Sequence, residues 1–139
     1  MTLTRADYPL AETRPGQVMG KRGKTLGEIT LDAVIDGSIL MEDLRITPKA
    51  LDDQAEIARA AGRPTLALNF ERAAELVEVP QDVIMAVYEL LRPGRAQSKQ
   101  PLLDAARNIR KAHGAERIAA FIEEAAATYE ERGLFTFRF

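Results

Sequence analysis

Few side chains in this sequence are equipped for chemistry. His113 is the single histidine, and there is no cysteine. Those counts exclude disulfides, thiolate metal sites, cysteine nucleophiles and any multi-histidine metal centre. His113 follows Lys111 near the expected end of a helix, just before Gly114. The partial negative charge of a helix C-terminus favours an imidazolium there. No serine or cysteine stands close by to be activated as a nucleophile, so His113 reads as a helix-end charge rather than a general base. The carboxylate pairs Asp52/Asp53, Glu123/Glu124 and Glu130/Glu131 fare no better as acid–base couples. Adjacent residues on a helix point about 100° apart and do not converge on one substrate atom.

Residues 18–25, VMGKRGKT, end like a phosphate-binding loop, in which backbone amides and a lysine hold phosphates. Val18 occupies the position of the first glycine, and residues 14–17 do not read as the strand such a loop follows. A basic turn with Thr25 capping what comes next is the better reading. Residues 71–91 mimic a helix-turn-helix, with the break at Val79-Pro80. A recognition helix needs basic and polar groups aimed at base edges. This one offers Asp82, Met85, Glu89 and a broad apolar surface, with no lysine or arginine before Arg92, and residues 47–95 hold six basic against eight acidic side chains.

The elements that would position such groups are mostly helical. The chain has 139 residues, a length that suits one domain of about 100–200, and 46% of them are apolar, enough for a globular core. Its net charge of −2 argues against general nucleic-acid binding. No apolar run reaches the roughly eighteen residues of a membrane span, and no secretory h-region opens the sequence. Residues 1–46 hold five of the nine glycines, together with Pro9 and Pro15, which predicts a meandering arm with short helical pieces. Thr30 should cap a short helix stopped at Gly37. Thr47-Pro48 starts a helix running to about Ala61, Pro64 and Pro80 open two more, Ser98 caps a fourth, and a fifth carries Ile118, Phe121, Ile122, Ala125 and Tyr129.

The last residues alternate: Phe135, Phe137 and Phe139 fall on one face of an extended tail. Three exposed phenylalanines would be adhesive, so the tail is expected to dock, with another chain favoured as the acceptor over its own helices. The expectation is an all-α fold: an open up-and-down bundle of about four to five helices over 47–133, an irregular N-terminal arm over 1–46 and a short extended C-terminal tail over 134–139, one domain overall.

Several stretches together resemble a known family: DYPLA (7–11), KTL (24–26), ITL (29–31), LRITPKAL (44–51), IARAAGR (57–63), LALNFERAAEL (66–76), VP (79–80) and VYELLRP (87–93). They resemble, in order and spacing over roughly residues 7–132, the small subunit of adenosylcobalamin-dependent diol and glycerol dehydratases. That resemblance implies a helical, non-catalytic subunit of a lyase complex that converts a 1,2-diol or glycerol to an aldehyde and water. The complex would be a dimer of large–medium–small heterotrimers, with adenosylcobalamin held by the large and medium subunits and not by this chain. No catalytic, cofactor-binding or metal residue is then expected here, and no nucleic acid or membrane partner. Arg45, Arg63, Asn69, Phe70, Glu71 and Arg72, which lie in the matching stretches, are candidate subunit contacts, with Phe135, Phe137 and Phe139 of the tail beside them. Some relatives carry an N-terminal extension that targets a bacterial microcompartment. Six residues precede DYPLA here, so the expectation is a cytoplasmic subunit that does not direct encapsulation. A free-standing DNA-binding or adaptor module of the helix-turn-helix type is the alternative.

Overall fold

Threonine caps and prolines set most of the helix starts. The computed structural model of the chain describes residues 2–136. Its helices are α1 (Leu10–Thr13), α2 (Leu31–Ile35), α3 (Met41–Leu44), α4 (Pro48–Ala60), α5 (Pro64–Leu76), α6 (Gln81–Leu91), α7 (Gln100–His113) and α8 (Glu116–Glu131). Single 3-10 turns lie at Arg5–Asp7, Pro15–Gln17 and Leu26–Glu28. Among the described residues there is no β-strand, only an isolated antiparallel bridge between Met19 and Thr25. The fold is all-α, as the punctuation implied. No helix among the described residues is long and apolar enough to cross a membrane.

The chain forms two compact units, divided between Val77 and Glu78. In the first, the Thr47 hydroxyl accepts from the Ala50 amide at 3.2 Å, and Pro48 fills the first turn of α4, where its missing N–H costs nothing. Gly62 ends α4 in the left-handed region, with φ of 75°. Its N–H reaches the Arg59 carbonyl while that of Arg63 reaches Ala58, so two carbonyls at the helix end are satisfied as the chain reverses. α5 then packs back on α4. The contact is made of small residues, with Ala55, Ala58 and Ala67 buried together and Leu66 and Phe70 closing over them. The ion pair Arg59–Glu71, at 2.6 Å, ties the two helices on the outside.

The N-terminal arm is anchored on this unit. Leu3 is buried, and the turn Arg5–Asp7 lies against α4. Asp7 is nearly enclosed: its carboxylate accepts from the Thr4 amide at 2.7 Å and the Thr4 hydroxyl at 2.9 Å, and pairs with Arg14. Residues 18–25 form a closed basic turn, with the Gly20 amide donating to the Lys24 carbonyl at 2.8 Å. Thr25 caps the 3-10 turn rather than a long helix: its amide donates to Glu28 at 2.8 Å. A side chain at Gly20 would strike the backbone of Asp43, its Cβ falling 2.6 Å from the carbonyl oxygen. That close approach explains the glycine without any phosphate.

In the second unit α7 and α8 pair across the short link Gly114-Ala115. Leu102, Ala106 and Ile109 of α7 and Ile118, Ala119, Ile122 and Ala126 of α8 are buried, large against small. Each Leu or Ile so enclosed contributes about 1.5–3 kcal/mol relative to exposure. Arg110 reaches Glu116 at 2.8 Å and both carboxylate oxygens of Glu123 at 2.8 and 3.0 Å. Ser98 is not the cap of α7. The helix starts at Gln100 with Lys99 before it, one residue later than a serine cap would place it: after a Ser98 cap Pro101 would be the third helical residue, and it has no N–H to give the serine hydroxyl. The apolar residues Val83, Val87, Leu90 and Leu91 of α6 are only half-buried, and no residue of that helix is fully enclosed.

α8 ends on Gly133 with the same pair of bonds as α4, Gly133 to Glu130 and Leu134 to Tyr129. Leu134–Thr136 therefore fold back on the helix end. Phe135 meets Tyr129 edge-on, with ring centroids 6.2 Å apart, and the Tyr129 hydroxyl donates to the Leu91 carbonyl.

Candidate subunit interface

Residues 31–46 carry the first unit's densest run of exposed apolar side chains. Thr30 caps α2, its hydroxyl accepting from the Ala33 amide at 3.2 Å. At the other end the Ser38 hydroxyl and amide both donate to Asp36 and hold its carboxyl below the usual range. Ile39 and Asp43 are the buried residues of this stretch. Asp43 accepts from the Leu40 amide at 2.8 Å and from Arg22 at 3.0 Å, pinning α3 to the basic turn. The rest points outward. Leu31 and Ile35 are each 74% exposed and Met41 69%, and Val34, Leu40, Leu44 and Ile46 are exposed beside them.

Helices of five and four residues are far too short to be stable alone. Here they are held by caps and one buried carboxylate in a shape that presents leucine, isoleucine and methionine to the outside. So many exposed large apolar side chains within sixteen residues, interspersed with Asp32, Asp36, Glu42 and Arg45, are the kind of surface that meets another molecule.

A furrow beside α4 is the second surface feature. One lobe, about 750 Å³, lies between the arm and the start of α4; the next, about 500 Å³, lies between Arg5 and the α4–α5 turn. Tyr8, Gln54 and Ile57 line both lobes. In the second unit a shallower groove of about 460 Å³ runs between α6 and α7, past Val83, Val87 and Asn108.

The residues singled out from the sequence fall into four groups. Arg63 and Phe70 come together in the second lobe of the furrow. Asn69, Glu71 and Arg72 are engaged within the chain: Asn69 accepts from Arg72 at 3.4 Å, and Glu71 holds Arg59. Arg45 is exposed at the end of α3, at the border of the apolar stretch 31–46. Phe135 lies half-buried on Tyr129, while Phe137 and Phe139 lie outside the described residues. Leu31, Ile35, Met41 and Tyr8 were not singled out. Their signal is exposure of an apolar side chain, which no local sequence pattern carries.

Among the described residues no group of acidic or histidine side chains could hold a metal ion. His113 ends α7, half-buried, and lines none of these three grooves. A single imidazole so placed does not fit a corrin, which needs a broad apolar slot around its metal ligand. The exposed side chains of α6 include Asp82, Met85, Tyr88 and Glu89, an acidic and apolar set that does not favour the DNA-binding alternative.

Known proteins agree with the resemblance read from DYPLA, LRITPKAL and LALNFERAAEL. The family model described as dehydratase small subunit matches residues 3–136. The propanediol dehydratase small subunit of Citrobacter freundii is 48% identical over 126 residues, covering 91% of this chain and 73% of that protein. The propanediol dehydratase small subunit of Salmonella typhimurium is 46% identical over 127 residues, with the same coverage. An anchored arm, two helical units and an outward apolar stretch are thus the build of a subunit, and the chain belongs to the dehydratase small-subunit family.

Proposed function

We propose that this chain is the non-catalytic small subunit of an adenosylcobalamin-dependent diol or glycerol dehydratase, acting on 1,2-propanediol or a similar short diol. Large and medium subunits hold the substrate and the cofactor, and this chain shapes and stabilises their assembly in the cytoplasm. The observation that carries the reading is the apolar stretch 31–46, ordered by Thr30 and Asp43 yet turned outward. An obligate subunit interface is hydrophobic in this way, like a core cut in half. The names of the relatives supply the reaction. The lack of fit between His113 and a corrin supports placing the chemistry on other chains, and no step of the reaction is assigned to a residue here.

The test is reconstitution. Large and medium subunits mixed with this chain should form a complex with adenosylcobalamin-dependent aldehyde formation. Leaving the chain out should lower the stability of the complex, read by sedimentation and by activity lost over time. His113→Ala should keep turnover within a few-fold of wild type. A diol dehydrated by the chain alone, or turnover abolished by His113→Ala in an intact complex, overturns the reading.

A further inference from the structure

The furrow beside α4 is continuous through Tyr8, Gln54 and Ile57. The 13 residues of α4 set its length at about 20 Å, enough for three to four turns of a helix. Its walls are mainly apolar, and Tyr8 stands at the junction of the lobes with 71% of its surface exposed. On the α4 side Ala50 and Ala58 line it between the longer side chains of Gln54 and Ile57, and Ala61 follows at the helix end.

The charges at its two ends differ in kind. In the first lobe Lys49 is neutralised by Asp53 at 2.5 Å. In the second lobe Arg5 and Arg63 face the groove with no acidic residue in the lining, and neither side chain has a hydrogen bond or ion pair among the described residues. The nearest glutamate pair is closed off, because Glu71 is taken by Arg59. Two unneutralised guanidinium groups over an apolar floor formed by Leu66 and Phe70 call for a ligand that brings a carboxylate together with apolar side chains.

We infer that this furrow receives an apolar helical or extended segment of another dehydratase subunit, whose acidic side chain sits between Arg5 and Arg63. The inference rests on the small-subunit reading and adds to it a second, chemically distinct contact. The stretch 31–46 is an apolar face; the furrow is a slot with a charged lock at one end. The slot supplies orientation, because a bidentate arginine–carboxylate pair fixes direction as well as position. A small molecule is a poorer fit, since the furrow is open along its length and small-molecule sites enclose most of their ligand.

The test uses the reconstituted complex. In one arm, Arg5→Glu/Arg63→Glu is titrated against the large and medium subunits by sedimentation, with Arg5→Lys/Arg63→Lys as the charge-preserving control. The reversed pair should weaken association at least tenfold, and the lysine pair should recover most of it. In the second arm, Tyr8 is replaced by the photoreactive p-benzoylphenylalanine, a substitution its exposure tolerates, and the complex is irradiated. The cross-link should join this chain to the large or medium subunit. Association within twofold of wild type for the reversed pair overturns the inference, as does a position-8 cross-link to a second copy of this chain or no cross-link at all. Should the reversed pair fail to fold, judged by circular dichroism, the cross-link decides. If the wild-type chain does not join the complex, the small-subunit reading itself fails; if it joins and the furrow variants are silent, only the furrow fails.

Discussion

The α7–α8 pair and the stretch 31–46 are both rich in aliphatic side chains, and they use them in opposite ways. In α7–α8, Leu102, Ile109 and Ile122 are fully enclosed by residues of their own unit, and ion pairs from Lys99 to Glu130 and from Arg110 to Glu123 close the outside. In 31–46 the apolar side chains stand in solvent, and the buried residues there, Ile39 and Asp43, serve to hold the rest in place. Hydrophobicity alone therefore does not say where a core lies. A helix of fourteen residues presents several turns to a neighbour and buries one face; helices of four and five residues cannot, and their apolar groups await a surface from elsewhere.

The largest effect should come from the closed pair. Ile122→Ala removes a fully buried side chain from α8 and should cost about 2–5 kcal/mol, read as a fall in the denaturation midpoint. Ile35→Ala, an equal truncation on an exposed residue, should leave the isolated chain within about 0.5 kcal/mol. Equal losses at both sites would break the comparison.

Next in size is the α4–α5 contact, where close approach depends on alanine. Ala58→Leu adds volume between helices already touching through Ala55 and Ala67, and overpacking of this kind costs about 1–3 kcal/mol. An unchanged thermal midpoint would mean that the helices separate freely, which the pairing of Arg59 with Glu71 across the same junction argues against.

The open stretch should show its value only in assembly. Ile35→Ser should be silent in the isolated chain yet weaken association with the other subunits by more than about 1 kcal/mol if it sits in the centre of the contact. A titration of the variant against the large and medium subunits measures this. Association unaffected by Ile35→Ser would move the contact away from α2.

Local chemistry explains what could be read in advance. Thr30, Thr47 and Pro48 act on amides within one helical turn, so their roles are visible in a few letters of sequence. Ser98 misled because Pro101, just as local, constrains the first turn more tightly. Val83, Val87, Leu90 and Leu91 recur in α6 at helical spacing, yet none of them is fully enclosed: periodicity gives the face, and burial depends on what lies across from it. Arg63 and Phe70 lie in the matching stretches IARAAGR and LALNFERAAEL, but Arg5 and Tyr8, which join them in the furrow, carry no signal as contacts. Arg5 and Tyr8 reach it only because the turn Arg5–Asp7 folds onto α4, and nothing at positions 5 and 8 announces that.

The smallest effects should be electrostatic, and they separate the two units by salt. Asp7, in the first unit, is held below the usual carboxylate range mainly by the Thr4 amide and hydroxyl, with Arg14 adding less. Glu123, in the second, is lowered chiefly by its hydrogen bonds to Arg110. A carboxylate whose folded-state pKa lies below its unfolded value stabilises the fold above that unfolded value, 3.8 for Asp7 and 4.5 for Glu123. The contribution is lost as pH falls through the lower folded-state value. Stability should therefore decline on acidification below the ordinary carboxylate range, and Asp7→Asn and Glu123→Gln should each flatten part of that decline. The Arg110–Glu123 pair is partly exposed, with side-chain accessibilities of 33% and 41%, and salt screens it: the Debye length shrinks from about 10 Å at 0.1 M to about 3 Å at 1 M. The bonds from Thr4 to Asp7 are short, local and nearly enclosed, so salt should leave them almost untouched. Thermal midpoints followed from neutral to acid pH at both salt levels should show the effect of Glu123→Gln shrinking in high salt while that of Asp7→Asn persists. If both effects shrink alike, Arg14 and not Thr4 is what holds the Asp7 carboxylate, and the arm is anchored by charge rather than by its turn.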